Sequence, residues 1–148
     1  PLITQTSCDV FSPCAVGGTI NAATVPQLQC KIVAGAANNQ LASESLERDL
    51  QQRGILYAPD FAINAGGVIL CADEFEPGGF YASRVHDRVN WIYRTVGMVL
   101  DQSKVSGETT GEVARRLARE RIQNAAELKE RQSLPTADSN SPRRGSES

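Results

Sequence analysis

The chain has 148 residues, 41% of them hydrophobic, and a formal net charge of −2. This is the length of one domain with enough apolar content for a core, and the charge gives no electrostatic case for nucleic acid or an anionic membrane surface. No apolar run approaches the roughly 20 residues of a membrane span, and no secretory leader is recognisable.

Cys8 to Pro13 reads as a short buried strand, after which Gly17-Gly18 and Asn21 turn the chain. Thr24-Val25-Pro26 looks like a helix start, with Pro in the first turn. Cys30 to Ala34 is a second strand. Ser43 is a plausible N-cap for a helix over Glu44 to Arg53, closed by Gly54. Ile55 to Tyr57 opens a third strand, and Pro59 stops regular pairing. The apolar run Ala58 to Ile63 reads as that strand continuing into Asn64, with Gly66-Gly67 opening a helix from about Ala65 to Phe75. Pro77-Gly78-Gly79 breaks it. From Ala82 to Lys104, Val85, Val89, Ile92, Val96 and Val99 recur at alternating steps of four and three, which predicts a helix with one buried face. Ser106-Gly107 ends it. Thr110 caps a further helix whose shared face holds Ala114, Leu117, Ala118, Ile122, Ala125 and Leu128. From Ser133 onward almost nothing is apolar, and a disordered tail is expected over 133–148.

Strand, helix, strand, helix, strand, helix is an α/β plan with a parallel sheet. The expected fold is a partial, doubly wound, Rossmann-like sheet of about three strands followed by long C-terminal helices, occupying residues 1–132. Three strands are about half of a nucleotide-binding sheet. The chain also opens on Pro1 rather than Met, close to a strand pattern, so the expectation is a fragment, a processed product or a trimmed chain.

Cys8, Cys14, Cys30 and Cys71 form no CxxC pair, and no His stands at ligand spacing, which argues against a metal site. Three of them lie in or beside strand patterns, where free Cys behaves as a small buried hydrophobe. Reduced, packed thiols are therefore expected, as is a cytoplasmic location.

Three strand-to-loop junctions end in small residues or Asn: Pro13-Cys14-Ala15-Val16-Gly17-Gly18, Ala34-Gly35-Ala36-Ala37-Asn38-Asn39, and Ile63-Asn64-Ala65-Gly66-Gly67. Parallel strands bring such junctions to one edge of the sheet, where open α/β sheets bind ligands. An amide at a strand end suits a ligand that needs both a donor and an acceptor. Taken singly, Asn64 before Gly-Gly reads as a helix cap and Asn38-Asn39 as a turn.

The order of the blocks turns that reading. Pro13 to Asn21, Ile32 to Leu41, Gly54 to Phe61, Ile63 to Ile69, and Ala72-Asp73-Glu74 resemble, in sequence and spacing, the amino-acid dehydrogenase family that includes the leucine, valine and phenylalanine enzymes. The likeness covers about residues 8 to 76, and more loosely the helices to about 130. It implies reversible oxidative deamination of an L-amino acid to a 2-oxo acid and ammonia, with NAD as cofactor. Carried over residue by residue, Cys14 and Ala15 would lie beside the nicotinamide ribose, and Asn38 and Asn39 near the nicotinamide. Asn64 would hydrogen-bond around the carboxamide and the substrate. Val68 and Cys71 would line the substrate side-chain pocket; their apolar character suits an aliphatic or aromatic side chain better than a carboxylate, whose burial needs a paired cation.

No GxGxxG occurs in the chain, so the pyrophosphate grip is absent. Lys31, Lys104 and Lys129 are its only lysines, and none lies in a Gly-rich loop. No catalytic residue is assigned, and the isolated chain is expected to be inactive. The expected partners are the amino acid or 2-oxo acid, a missing N-terminal catalytic domain, and further copies in a homo-oligomer. The alternative is a catalytically inactive half-Rossmann module used for binding or assembly.

Other features read as structural. Cys14 lacks a base and is expected as a packed small residue. His86 is expected to face solvent or act as a cap. Asp73-Glu74 reads as a solvated or helix-contacting face, and Trp91 and Tyr93 are expected to pack around the long helix. Arg115, Arg116, Arg119 and Arg121, interleaved with Glu112 and Glu120, read as a solvated face.

Overall fold

In the computed structural model, which describes residues 3–133, three short strands pair in parallel in chain order: β1 (Val10–Phe11), β2 (Ile32–Val33) and β3 (Leu56–Tyr57). Val10 stands opposite Ile32 and Ile32 opposite Leu56; Phe11, Val33 and Tyr57 form the next row. That inner row is buried, together with Ile20, Val25, Leu28, Leu46, Leu50 and Ile55. The α/β parallel sheet is the one expected. The tail expected over 133–148 lies, beyond Ser133, outside the described residues.

The strands are shorter than the sequence suggests. Pro13 and Pro59 have no N–H to continue a ladder, and β1 buries only Phe11, leaving Val10 exposed. The helix expected from Thr24 is a single 3-10 turn, Val25–Gln27. The Asn21 carboxamide accepts from Ala23 N (3.0 Å) and Thr24 N (3.1 Å), an Asx turn that competes with helix. Leu28 is already extended toward β2.

Helix α1 (Leu46–Gln52) starts later than expected. Ser45, not Ser43, is its N-cap, and neither hydroxyl closes the first turn; the two bond each other at 2.9 Å. Gly54 follows α1 in the left-handed region, φ 68°. The apolar run after β3 is not strand. Pro59 ends the ladder, and Asp60 opens a short helix, α2 (Asp60–Ile63), its Oδ1 accepting from Phe61 N at 2.7 Å. Asn64 therefore caps the C-terminus of α2, one helical turn beyond the sheet.

Helices α3 (Gly66–Glu74) and α4 (Ala82–Ser106) follow as expected, broken at Gly78 and Gly79, both with positive φ. Asp73 is fully buried between them. It accepts from Arg84 Nε and Nη2 (2.5 and 3.0 Å) and from Tyr81 N (2.8 Å), with Arg88 Nη1 at 3.6 Å. The Arg84 guanidinium, and then the Tyr81 amide, hold its carboxyl below the usual carboxylate range. A lowered folded pKa means stability fully present above the unfolded value of about 3.9 and lost as pH falls through the folded value. An acid titration should therefore begin to weaken the α3–α4 hairpin as pH falls below about 4, read by the far-ultraviolet signal and Trp91 fluorescence. Asp73→Asn should weaken the hairpin at neutral pH and remove that acid step.

Helix α4 packs on α2 and α3, but its expected apolar face is only partly covered. Val99 is buried; Val85, Ile92 and Val96 are half-buried and Val89 is exposed. Trp91 and Tyr93 do not pack around the helix: they are exposed, Tyr93 at 86%. Trp91 lies under the Arg94 guanidinium, 5.0 Å from its ring centre. His86 is exposed and meets Asn90 Nδ2 at 3.1 Å.

Helix α5 (Thr110–Ser133) is capped by Thr109, one residue before the expected position. Glu112 N donates to Thr109 Oγ1 (3.2 Å) and Thr109 N to Glu112 Oε2 (2.7 Å), a reciprocal capping box. Thr110 instead donates its hydroxyl to Tyr57 O at 2.7 Å. The chain divides into two units, 1–116 and 117–148, so α5 up to Arg116 belongs to the first. Of the expected apolar face, Ala114 is buried and Leu117 half-buried; Ala118, Ile122, Ala125 and Leu128 are exposed.

Candidate functional site

Because the strands are parallel, their three following loops leave the same edge of the sheet. The loops after β1 and β2 are in backbone contact. A Cβ on Gly35 would fall 2.1 Å from Pro13 O and 2.6 Å from Pro13 N, and Ala37 N donates to Pro13 O at 3.0 Å. A Cβ on Gly17 would meet Asn38 O at 2.8 Å. Asn39 is left-handed (φ 51°), and its carbonyl accepts from Gly18 N at 2.8 Å. Glycine is needed at positions 17 and 35 for that approach.

Cys14 lies at this junction and is exposed, not packed as expected. Its Sγ is 3.3 Å from Ser12 Oγ and 3.5 Å from Ala36 N. The Ser12 hydroxyl first, then the Ala36 amide, lower its pKa from the ordinary thiol value. Ala15, beside it, is also exposed. Cys71 is likewise exposed, while Cys8 and Cys30 are half-buried against the core; all four thiols are free.

The loops after β2 and β3 meet through side chains. Asn64 Nδ2 donates to Asn38 Oδ1 at 2.6 Å and approaches Ala36 O at 3.4 Å. Beneath this pair, Gln40 is fully buried; its Nε2 donates to Gly35 O (2.6 Å) and Ala37 O (3.0 Å). Gln40 N donates to Asp60 Oδ2 at 2.8 Å. Asp60 is itself buried, and its N–H points to the Tyr57 hydroxyl at 3.3 Å. Burial pushes the Tyr57 phenol far above its ordinary pKa. Sequence reasoning assigned no role to Gln40 or Asp60, although both lie in the blocks that carry the family likeness.

The structure thus brings Cys14, Asn38 and Asn64 to one edge. Asn39 instead lines a cavity of about 120 Å³ with Glu44, Glu47, Tyr57, Asp60 and Arg115. That is well below the roughly 300 Å³ of a small-molecule site. Val68, 74% exposed, and Cys71 lie on the open surface of α3. The arginines expected as a solvated face are partly engaged. Arg115 pairs with buried Glu47, and Arg116 reaches Glu108 at 3.1 Å. No helix of the described residues is long and apolar enough to cross a membrane, and no three His, Cys, Asp or Glu side chains among them converge on a metal position.

A parallel sheet whose loops gather at its carboxyl edge defines an open α/β protein of Rossmann type. The Glutamate/Leucine/Phenylalanine/Valine dehydrogenase family matches residues 2–129, and the chain belongs to that family. Leucine dehydrogenase of Bacillus cereus is 48% identical over 115 residues, covering 78% of this chain and 31% of the relative. Valine dehydrogenase of Streptomyces coelicolor is 45% identical over 124 residues, covering 84% and 34%. The crystal structure of L-tryptophan dehydrogenase from Nostoc punctiforme superposes with a TM-score of 0.80 at 43% identity, covering 85% of this chain and 37% of that one. The chain spans about a third of the length of these relatives.

Proposed function

We propose that the chain forms the nicotinamide side of the cofactor site in an NAD-dependent L-amino-acid dehydrogenase. Residues 1–132 are then the C-terminal half of the dinucleotide-binding domain with its trailing helices. The reaction is reversible oxidative deamination of a branched-chain or aromatic L-amino acid to a 2-oxo acid and ammonia. What supports this most is the Asn38–Asn64 pair. Its internal bond uses Asn64 Nδ2 and Asn38 Oδ1. Asn38 Nδ2 and Asn64 Oδ1 make no further hydrogen bond among the described residues. A carboxamide needs one acceptor and one donor, so this pair fits nicotinamide.

A nicotinamide dinucleotide held here would supply the acceptor for the hydride of the amino acid's α-carbon. The chain's own part is to bind and orient. Asn38 and Asn64 would hold the carboxamide end, with Asn39 next to Asn38 shaping the loop near the nicotinamide; Cys14 and Ala15 would flank the ribose, and Val68 and Cys71 would offer an apolar wall to the substrate side chain. Fixing which face of the ring meets the substrate is a proximity effect. Proton transfer belongs to a substrate domain outside this chain, and the assembled enzyme is a homo-oligomer in which the open sheet edge is covered.

The test is a chimera in which residues 8–129 replace the matching segment of the Bacillus cereus leucine dehydrogenase. It should oxidise aliphatic or aromatic L-amino acids with NAD, whereas the isolated chain should form no NADH. Asn64→Ala in the chimera should lower kcat/KM for NAD roughly 10–100-fold, the loss of one or two ligand hydrogen bonds. A folded but inactive chimera would favour a half-Rossmann binding or assembly module, the reading that the missing GxGxxG supports.

A further inference from the structure

We infer that Asp60 and Gln40 are positioning residues that set the Asn38–Asn64 amide pair, an inference that rests on the nicotinamide reading of that pair. Asn38 and Asn64 sit on different loops, 26 positions apart. Two amides on independent loops would share their 2.6 Å bond only part of the time unless something else fixed the loops. Asp60 does this from one side. Its Oδ2 accepts from Gln40 N at 2.8 Å, two residues past Asn38. Its backbone carbonyl accepts from Asn64 N at 2.9 Å, and its Oδ1 accepts from Phe61 N at 2.7 Å in the first turn of α2. Asp60 thus touches the backbone on both sides of the pair: its carboxylate holds Gln40 N and the first turn of α2 by charge-assisted bonds, and its backbone carbonyl continues that turn to Asn64 N.

Gln40 fixes the other side. Its carboxamide nitrogen reaches back to Gly35 O and Ala37 O, closing the excursion from Gly35 to Gln40 that carries Asn38 over a fully buried side chain. Its Oε1 is buried and meets no donor among the described residues. The amide's nitrogen satisfies two loop carbonyls that an apolar side chain at this position would leave without a partner.

The experiment uses the 148-residue chain labelled with nitrogen-15, without cofactor. In the parent, the Asn64 side-chain amide should show nuclear Overhauser contacts to Asn38 and Ala36 and a dispersed pair of resonances. Asp60→Asn and Gln40→Met should each abolish those contacts and move the Asn64 side-chain resonances to free-amide positions, while Val33 and Leu50 keep their native backbone shifts. Unchanged Asn64 signals in both variants would overturn the inference. If Asp60→Asn unfolds, Gln40→Met decides. Collapse of the core in both would make the two residues general stability determinants and also overturn it. The readout needs no cofactor, so an inactive chimera would sink the nicotinamide reading and leave this geometric result standing. In an active chimera, Asp60→Asn should raise KM for NAD while kcat for the bound complex changes less.

Discussion

Gly35→Ala is expected to cost about 3 kcal/mol, the upper end of overpacking, and to lower the melting temperature by roughly 6–12 °C for a chain of this length. The reason is what the new methyl would meet. At 2.1 Å from Pro13 O and 2.6 Å from Pro13 N, it would stand inside backbone, not against a side chain that can swing away. The loops after β1 and β2 would have to part, breaking the bond from Ala37 N to Pro13 O and separating Ala36 N from Cys14 Sγ. Gly66→Ala is the control. A Cβ there has nothing within 4 Å, and alanine in a helix is favoured over glycine by up to about 1 kcal/mol. Thermal unfolding by circular dichroism compares the two. A Gly35→Ala chain melting with the parent would mean the two loops are not in backbone contact.

That contact lies at a junction the sequence marks clearly, since a glycine between a strand and an Asn-rich turn invites close approach. Elements set by local chemistry were legible in the same way. Pro77-Gly78-Gly79 and Gly107 bound α4, Gly54 closes α1, β1 and β2 fall where apolar runs precede glycine-bearing loops, and Pro59 stops β3. What local pattern misread were places where one residue overrides its neighbours. The Asx turn at Asn21 leaves only a 3-10 turn where Pro26 suggested a helix. Asp60 turns an apolar, strand-like run into α2. Periodicity on α4 marked a potential buried face, but burial also needs an opposing surface, and only Val99 is buried among the described residues of that helix.

Pairings across long sequence separations were not legible at all. Asp73 was one of two adjacent acids until Arg84 closed over it, and Glu47 was one charge in a mixed helix. At the sheet edge, spacing and family likeness singled out Asn38 and Asn64 separately, but their shared bond is a tertiary fact. So is the dependence of both loops on Asp60 and Gln40, residues whose types gave no sign of burial.

Arg115→Met is expected to destabilise the chain by about 3 kcal/mol, the lower end of the cost of leaving a buried charge unpaired. Glu47 is 4% exposed, and Arg115 reaches both its oxygens, at 3.1 and 3.3 Å, with Thr109 Oγ1 donating at 2.7 Å. The guanidinium is 25% exposed, and solvent screening keeps the effect below that of a fully enclosed pair. A Cβ on Gly111 would fall on the Glu47 carboxylate, so the acid is packed against the first turn of α5 and has no room to turn outward. Glu47→Met combined with Arg115→Met should recover most of the loss, since removing both charges leaves none uncompensated. Urea unfolding of the two single variants and the double variant gives the coupling energy, expected at about 2 kcal/mol for contacting residues. Additive losses would show that Glu47 tolerates its position without Arg115. The same variants separate stability from site geometry. The bonds of the Asp60 carboxylate go to Gln40 N and Phe61 N and not to α5, although the Arg115 guanidinium lies over the Phe61 ring at 6.0 Å. The Asn38–Asn64 contact should therefore survive Arg115→Met in the folded fraction, even as that fraction becomes easier to unfold.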